Sequence, residues 1–423
     1  MPEILDLKYE KYTLKNGLEV ILHKNDTLPL VAVNLWYKVG SANETKGKTG
    51  FAHLFEHMMF QGSKNIPKEM HFRYIQEAGG TLNGSTSLDR TNYYETVPSN
   101  SLELALWLES DRMGFMLPAL TEEKLQNQKD VVMNERRQRY DNQPYGRAWE
   151  TIFSNLYPKD FPYHWPTIGW MEDIEKFRLE DVKEFFGKFY TPNNASLVIA
   201  GNFKHEEAEK LIENYFSDIP AGPEISSGIY FKPILENNIE TVLEDNVQLP
   251  RIYLTWLSEK LYGQDDAALD ILSDILSGSK GSRLHKLLVH NQQIAQDVSC
   301  YQYSSVLSGN FIIASTAKPG VSLSELKKLI FSEIENVIKN GVTERELERA
   351  RNNFESSFIY SLQNIDMIAD QLNNYNCNLG KPNMFNHDLG RYSQLSPENI
   401  KEAALKYLSN PYVQLSVLPK RKK

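Results

Sequence analysis

The sequence predicts an α+β protein of two duplicated domains, each a large, mostly antiparallel sheet with helices packed on one face. Three observations carry this expectation. Strand-like and helical patterns alternate along the chain. Its 423 residues exceed what one core holds, at ~100–200 residues per domain. Finally, segments of the first half recur in order in the second. LEDVKEFFGKFY followed by ASLVIA (179–200) has a counterpart in PENIKEAALKYL followed by VQLSVL (397–418). There Val182, Glu184, Leu197 and Ile199 meet Ile400, Glu402, Leu415 and Val417 at one spacing of 218 residues. LPLVAVNLW (28–36) resembles LPRIYLTW (249–256) with one residue slipped, and QGSKN (61–65) resembles SGSKG (277–281) at a spacing of 216. Chance accounts for one such pair but hardly for three in order. The expected division is a domain over 1–218, a linker over 219–231 and a homologous domain over 232–423.

The elements follow in chain order. Residues 11–25 read as a hairpin turning at Asn16-Gly17, because apolar alternation flanks that pair. Residues 31–40 read as a strand. Residues 49–60 read as a helix with Thr49 as N-cap. Long helical patterns cover 101–117 and 122–140, and NNASLVIAGNF (193–203) reads as a buried strand. IPAGPEISSG (219–228), rich in Pro, Gly and Ser, marks the linker. Trp36 and Trp256 match in the repeat and are expected in the cores.

Composition narrows the function. At 41% hydrophobic and 24% charged residues the chain is of ordinary folded type. A net charge of −9 speaks against nucleic-acid binding, which needs a basic surface. Cys300 and Cys377 are too few for a disulfide framework and too distant for a thiol metal motif. No apolar run approaches the ~20 residues that span a bilayer, so no membrane role is expected. The start, MPEILDLKYEKY, lacks the basic and apolar regions of a signal peptide. As written, the chain is expected in the cytoplasm, or in the periplasm if a signal segment has been removed.

His53-Leu54-Phe55-Glu56-His57 is the most informative stretch. On a helix, residues three and four apart share a face, so His53, Glu56 and His57 point the same way. Two imidazoles at that spacing can chelate one Zn²⁺, and the carboxylate between them then stands beside the open coordination position. This is the H-x-x-E-H order of an inverted zincin. Composition gives about 0.025 such matches by chance. The flanks Phe51, Leu54, Phe55, Met58 and Met59 are apolar, and two histidines and an acid on so buried a helix are costly unless a ligand satisfies them. A catalytic zinc needs a third protein ligand. Glu135, with 77 residues between it and His57, is one candidate, and Glu122, Glu123 and Asp130 are others. His23, His71, His164, His205, His285, His290 and His387 are expected on the surface or in loops.

The motif, the long gap and the N-E-R-R-Q-R context resemble the pitrilysin family of zinc peptidases. The likeness is greatest to its short two-domain branch of bacterial processing proteases and mitochondrial processing peptidase subunits. GGTLNGSTS (79–87), SRLHKLLV (282–289) and the repeat extend the resemblance over the chain. It implies that Glu135 completes a site for one zinc per chain, with Glu56 as general base in an endopeptidase, and that the chain forms half of a clam-shell chamber. Many members carry a second glutamate seven residues before the ligand. Here the residue is Gln128, whose amide can orient a ligand or a water but cannot titrate. The family adds its peptide substrate to a sheet edge whose pattern is Asn-Ala-x-Thr. The match here is Asn83-Gly84-Ser85-Thr86, a stretch that also reads as a glycine-rich turn.

The second copy has lost the motif: at a spacing of 216, Leu269, Leu272 and Ser273 stand where His53, Glu56 and His57 stand in the first. Longer members also carry an arginine, then a tyrosine seven residues on, in their C-terminal half. The matching positions here are Val289 and Gln296, and neither can stabilise an oxyanion as that pair does. The resemblance therefore implies a second pitrilysin-like chain that supplies the pair in a heterodimer, with a homodimer as the alternative. A non-catalytic scaffold or chaperone-like subunit is the competing function, though such members lose the histidines or the glutamate that this chain keeps.

Overall fold

The computed structural model describes residues 5–225, 228 and 231–420; four residues of the expected linker, 226–227 and 229–230, lie outside the described residues. The first half carries strands β1 (Glu10–Thr13), β2 (Glu19–Lys24), β3 (Leu30–Tyr37), β4 (Thr81–Thr86), β5 (Thr91–Pro98) and β6 (Ala195–Gly201). Its helices are α1 (Phe51–Met58), α2 (Met70–Glu77), α3 (Leu102–Phe115), α4 (Glu122–Arg136), α5 (Ala148–Leu156), α6 (Met171–Ile174), α7 (Leu179–Phe189) and α8 (His205–Phe216). The second half carries β7 (Ile239–Asp245), β8 (Arg251–Ser258), β9 (Ala295–Ser304), β10 (Gly309–Ala317) and β11 (Tyr412–Pro419). Its helices are α9 (Asp266–Ser277), α10 (Leu323–Asn340), α11 (Glu344–Ser361), α12 (Ile365–Leu379), α13 (Phe385–Ser393) and α14 (Pro397–Leu408). No described helix is long and apolar enough to cross a membrane.

The fold is α+β with two sheets of matching topology. The first runs β1-β2-β6-β3-β5-β4 and the second β7-β11-β8-β10-β9. Each has one parallel pair, β2 with β6 and β7 with β11, and is otherwise antiparallel. The strands correspond one to one, as the repeated segments require, with β1 as an extra edge in the first sheet. The hairpin forms where expected: β1 pairs with β2, and Gly17 takes φ +90° in the turn. That left-handed conformation, and the Asn193 Cβ and Cα that an added side chain would meet at 2.7 and 3.0 Å, favour glycine there.

By contacts the chain forms two compact units. One comprises Met1–Asn134, Trp165–Gly228 and Ile359–Asn386, the other Glu135–His164, Ile229–Phe358 and His387–Lys423. Each half thus lends a helical segment to the unit of the other half: α5 joins the second unit, α12 the first. β3 shows why. Its residues from Val31 to Tyr37 are all buried, so both faces of the strand need cover. Arg112 from α3 stacks on Tyr93 of β5, while Asn34 and Trp36, pointing the other way, bond to α12. In the second sheet Ile252, Leu254 and Trp256 belong to the core with α9, α10 and α14, and Tyr253 faces Ala148 and Ile152 of α5. The main helical layer lies on one face of each sheet, and a single helix covers the other. Trp36 and Trp256 are both core residues.

Candidate metal centre

Helix α1 is held by aromatic packing on one side. Phe51 stacks on Phe177 with ring centroids 3.8 Å apart, and Phe55 stacks on Tyr190 at 4.9 Å. Leu54 and Met58 are fully buried. This leaves His53, Glu56 and His57 on the partly exposed face. The helix does not start on Thr49. Its cap is Gly50 in the left-handed region at φ 97°, where a side chain would strike the Ile168 carbonyl. The Thr49 hydroxyl instead donates to Asp173 Oδ2 at 2.7 Å. The opening amides are satisfied by Glu44, a buried residue whose carboxylate accepts from Gly50 N at 2.9 Å and Ala52 N at 2.8 Å. Burial pushes the Glu44 carboxyl up to about 8 against the pull of those amides, and nearby Asp173 adds to the rise.

Helix α4 brings the acid. Leu125 and Val132 anchor it in the core, and Lys129 donates to the Glu175 carbonyl at 2.7 Å. Glu135 lies in its last turn, one residue past the cut between the two units, and the helix ends there in a π turn over Arg137–Asp141. Of the arginines around Glu135, Arg136 turns away to a buried pair with Glu150 at 2.6 Å, while Arg139 reaches Glu135 Oε1 at 2.8 Å.

One ligand atom from each of His53, His57 and Glu135 lies within 4.8 Å of the others. The two imidazole centroids are 4.9 Å apart. Tetrahedral zinc, at ~2.0–2.1 Å from nitrogen and oxygen, spaces its donors about 3.4 Å apart, so two imidazoles and a carboxylate at this separation fit such an ion. Glu122, Glu123 and Asp130 are not in this group.

Glu56 faces strand β4, which forms the edge of the first sheet. Thr86 Oγ1 donates to Glu56 Oε2 at 2.6 Å, and a Cβ on Gly84 would stand 3.2 Å from Glu56 Cγ. Asn83-Gly84-Ser85-Thr86 is therefore strand rather than turn. Gly84 and Thr86 point to α1, while Ser85 points to the opposite face and donates to Asn92 Oδ1 at 2.7 Å. Asn83 Oδ1 accepts from the Gly84 amide at 2.9 Å. Gln128 is buried two turns before Glu135, and its amide donates to Asn127 at 2.9 Å.

Two histidine expectations need correction. His71 and His23 are buried, not superficial. Burial, with Arg112 beside it, pushes His71 down to about 3, so it is neutral. Glu10, His205 and Glu209 also gather within 4.8 Å, but Glu10 and Glu209 are exposed, and the group reads as a surface polar cluster. Glu44 was not legible as a site residue. Its role comes from a loop folding back onto the helix start, and no sequence pattern marks that.

Residues 19–160 match the family model described as insulinase (peptidase family M16), and residues 176–354 match that of the peptidase M16 inactive domain. The zinc protease PqqE of Helicobacter pylori is 31% identical over 372 residues, 87% of this chain and 83% of that relative. A probable mitochondrial-processing peptidase subunit beta of Arabidopsis thaliana is 23% identical, covering 96% of this chain and 77% of that protein. The crystal structure of a protease from Helicobacter pylori superposes with a TM-score of 0.91 at 28% identity, covering 98% of this chain and 100% of that one.

Proposed function

The chain belongs to the M16 peptidase family, and from that premise we propose that it is a zinc-dependent endopeptidase cleaving extended peptides or unfolded segments. The observation that carries the reading is the convergence of His53, His57 and Glu135 beside a glutamate that is hydrogen-bonded to an edge strand. A bound zinc ion would polarise the scissile carbonyl and acidify a water molecule. The ligands, the base and the substrate edge belong to this chain. His53, His57 and Glu135 would hold the ion, and Glu44 fixes the start of the helix that carries two of them. Glu56, steadied by Thr86, takes the proton of the attacking water and returns it to the leaving amine. The edge of β4 takes the peptide as an added strand, and Gly84 leaves room beside Glu56 for its backbone.

Replacing Glu56 by glutamine should keep zinc at one per chain and reduce cleavage of an unstructured substrate such as casein by ~10²–10⁴-fold, the weight of a general base. A Glu56→Gln protein that cleaves casein within tenfold of wild type overturns the assignment.

The partner belongs to the same proposal. Val289 packs against the apolar core of the second unit, and Gln296 is exposed on β9. Neither offers the cationic and phenolic donors that would stabilise a tetrahedral oxyanion, a contribution worth several kcal/mol elsewhere. We propose that a second M16 chain supplies them in a heterodimer. The purified chain alone should then hold zinc yet cleave casein slowly, and co-expression with an M16 chain encoded beside it should raise turnover by orders of magnitude. Full activity from this chain alone would refute the shared site.

A further inference from the structure

We infer that Asp370, on α12, is a positioning residue for the peptide-binding edge: acting through Asn92, it fixes strand β4 from the face opposite the metal centre. The inference rests on the peptidase reading above only for what the edge binds. Its observations concern the first unit alone.

The two helices that cover the second face of each sheet do so by different chemistry. In the second unit α5 sets Ala148 and Ile152 against Tyr253, Ala314, Leu415 and Val417, an apolar contact. In the first unit α12 lays Asp370, Asn373 and Asn376 on the sheet, three residues apart each time and so on one helix face. Asn373 Nδ2 donates to the Asn34 carbonyl at 2.9 Å, and Asn376 Nδ2 to Ser196 Oγ at 3.0 Å. Asp370 Oδ1 accepts from Trp36 Nε1 at 2.9 Å, Asn92 Nδ2 at 3.0 Å and Asn34 Nδ2 at 3.3 Å. Asn34, Asn92, Asn373 and Asn376 are all buried. Buried hydrogen bonds of this kind add little net adhesion but are costly to misplace. They specify where the helix and the sheet meet more than they hold them together.

From Asp370 the contacts run to the edge. Asn92 Oδ1 accepts from Ser85 Oγ at 2.7 Å and from Arg90 Nη1 at 2.9 Å. Arg90 Nη1 also donates to the Ser85 carbonyl at 2.9 Å and lies over the Trp36 ring. Ser85 is thus held through both its side chain and its main chain. Its neighbours Gly84 and Thr86 point the other way, to Glu56. An edge strand has a partner on one side only, and its placement depends on such ties. Asp370 reaches no reacting atom. It acts by holding Asn92, which holds Ser85, which sets where Gly84 and Thr86 stand against the base.

The test uses the full chain, zinc-loaded, in the Glu56→Gln background so that peptide binding is read without cleavage. Fluorescein-labelled casein is the probe. Asp370→Ala should raise its Kd about tenfold, a loss of ~1.4 kcal/mol, with zinc content unchanged. Amide exchange should quicken over Thr81–Thr86 while the amides of β6 stay protected. Asp370→Asn keeps the accepting oxygen and should stay within about threefold of the parent, which separates acceptor geometry from charge. Asn92→Ala should reproduce Asp370→Ala, and the double variant should be no worse than either alone. Unchanged exchange over β4 overturns the inference, as does a rise spread equally over β6, which would mark a general structural residue. If the parent binds no casein and the wild type cleaves none, the peptidase reading is what fails, and the exchange measurement still decides the role of Asp370.

Discussion

Gly84 offers the most direct probe of how tightly Glu56, the proposed base, is placed. A Cβ there would lie 3.2 Å from Glu56 Cγ, 3.2 Å from Tyr93 Cδ1 and 3.3 Å from Phe60 Cε2, against an ordinary contact of ~3.5–4.0 Å. The two rings cannot yield easily. Tyr93 is fully buried beneath the Arg112 guanidinium, 4.2 Å from its centroid, and Phe60 is backed by Phe72 at 4.6 Å. Glu56, a flexible and partly exposed side chain, is the group that moves. Gly84→Ala asks for a shift of roughly 0.3 Å. If a misplacement of ~1 Å costs ~10²-fold, that shift costs about fourfold, which suits a family pattern that carries alanine at this position. Gly84→Val adds two methyl groups to the same gap. It should displace the carboxylate by about 1 Å, reduce casein hydrolysis by ~100-fold or more and cost ~1–3 kcal/mol of stability from overpacking. Zinc content should stay at one per chain in both variants, since the proposed ligands His53 and His57 lie elsewhere on α1 and Glu135 lies on α4. Casein hydrolysis, bound zinc and the thermal midpoint measured on the same preparations decide the matter. A Gly84→Val protein that cleaves casein within threefold of wild type refutes the placement of Glu56 against β4.

Glu135→Ala should lose zinc on dialysis, whereas Gln128→Ala should keep most of it, because the Gln128 amide is engaged with Asn127; stoichiometric zinc in Glu135→Ala would remove that residue from the site. In the second unit Arg283 bonds Glu346 at 2.7 Å and, with Thr343, holds its carboxyl down at about 2. A depressed carboxyl stabilises the fold above its unfolded value near 4.5 and loses that contribution as pH falls through about 2. Glu346→Gln should therefore remove about 1 kcal/mol at neutral pH, since solvent screens a group this exposed, and flatten the loss of stability between those pH values, as read from urea unfolding at a series of pH; an unchanged acid limb would refute the coupling.

What was legible in the sequence was what one element can encode. The spacing of His53, Glu56 and His57 is a property of any helix, and the repeat spacing of 218 residues reappears in the equal strand order of the two sheets. What was not legible depends on chain segments distant in sequence. Glu44 caps α1 because its loop folds back, and Thr49, the better cap by type, is drawn off by Asp173. The second-face helices were missed for a different reason. The polar stripe of Asp370, Asn373 and Asn376 looks like a solvated helix face until the sheet supplies Asn34, Asn92 and Ser196 to meet it. A signal was available in β3, whose run VAVNLW is apolar at every position but Asn34, does not alternate and so needs cover on both sides.

The two copies also show what the proposed metal site would cost a shared fold. In α9, the counterpart of α1, Leu269 and Leu272 are fully buried in the second core, and Ser273 turns its hydroxyl back to the Asp270 carbonyl at 2.8 Å. Each buried leucine contributes ~1.5–3 kcal/mol. The first copy forgoes that packing at His53 and Glu56, which stay partly exposed. Its helix is held instead by the Glu44 carboxylate, by stacking of Phe51 and Phe55, and, on zinc binding, by the ion itself, because a ligand that binds only the folded state adds stability by mass action. The same exchange of adhesion for placement separates α5 from α12. The copy without ligands covers its second sheet face with an apolar contact that tolerates small shifts. The copy with ligands uses hydrogen bonds that tolerate none, and they end on the strand that carries Gly84 and Thr86. Precision is therefore concentrated where, on the proposed function, the Glu56 carboxylate would meet an added strand, and in the other copy the equivalent positions are given over to packing.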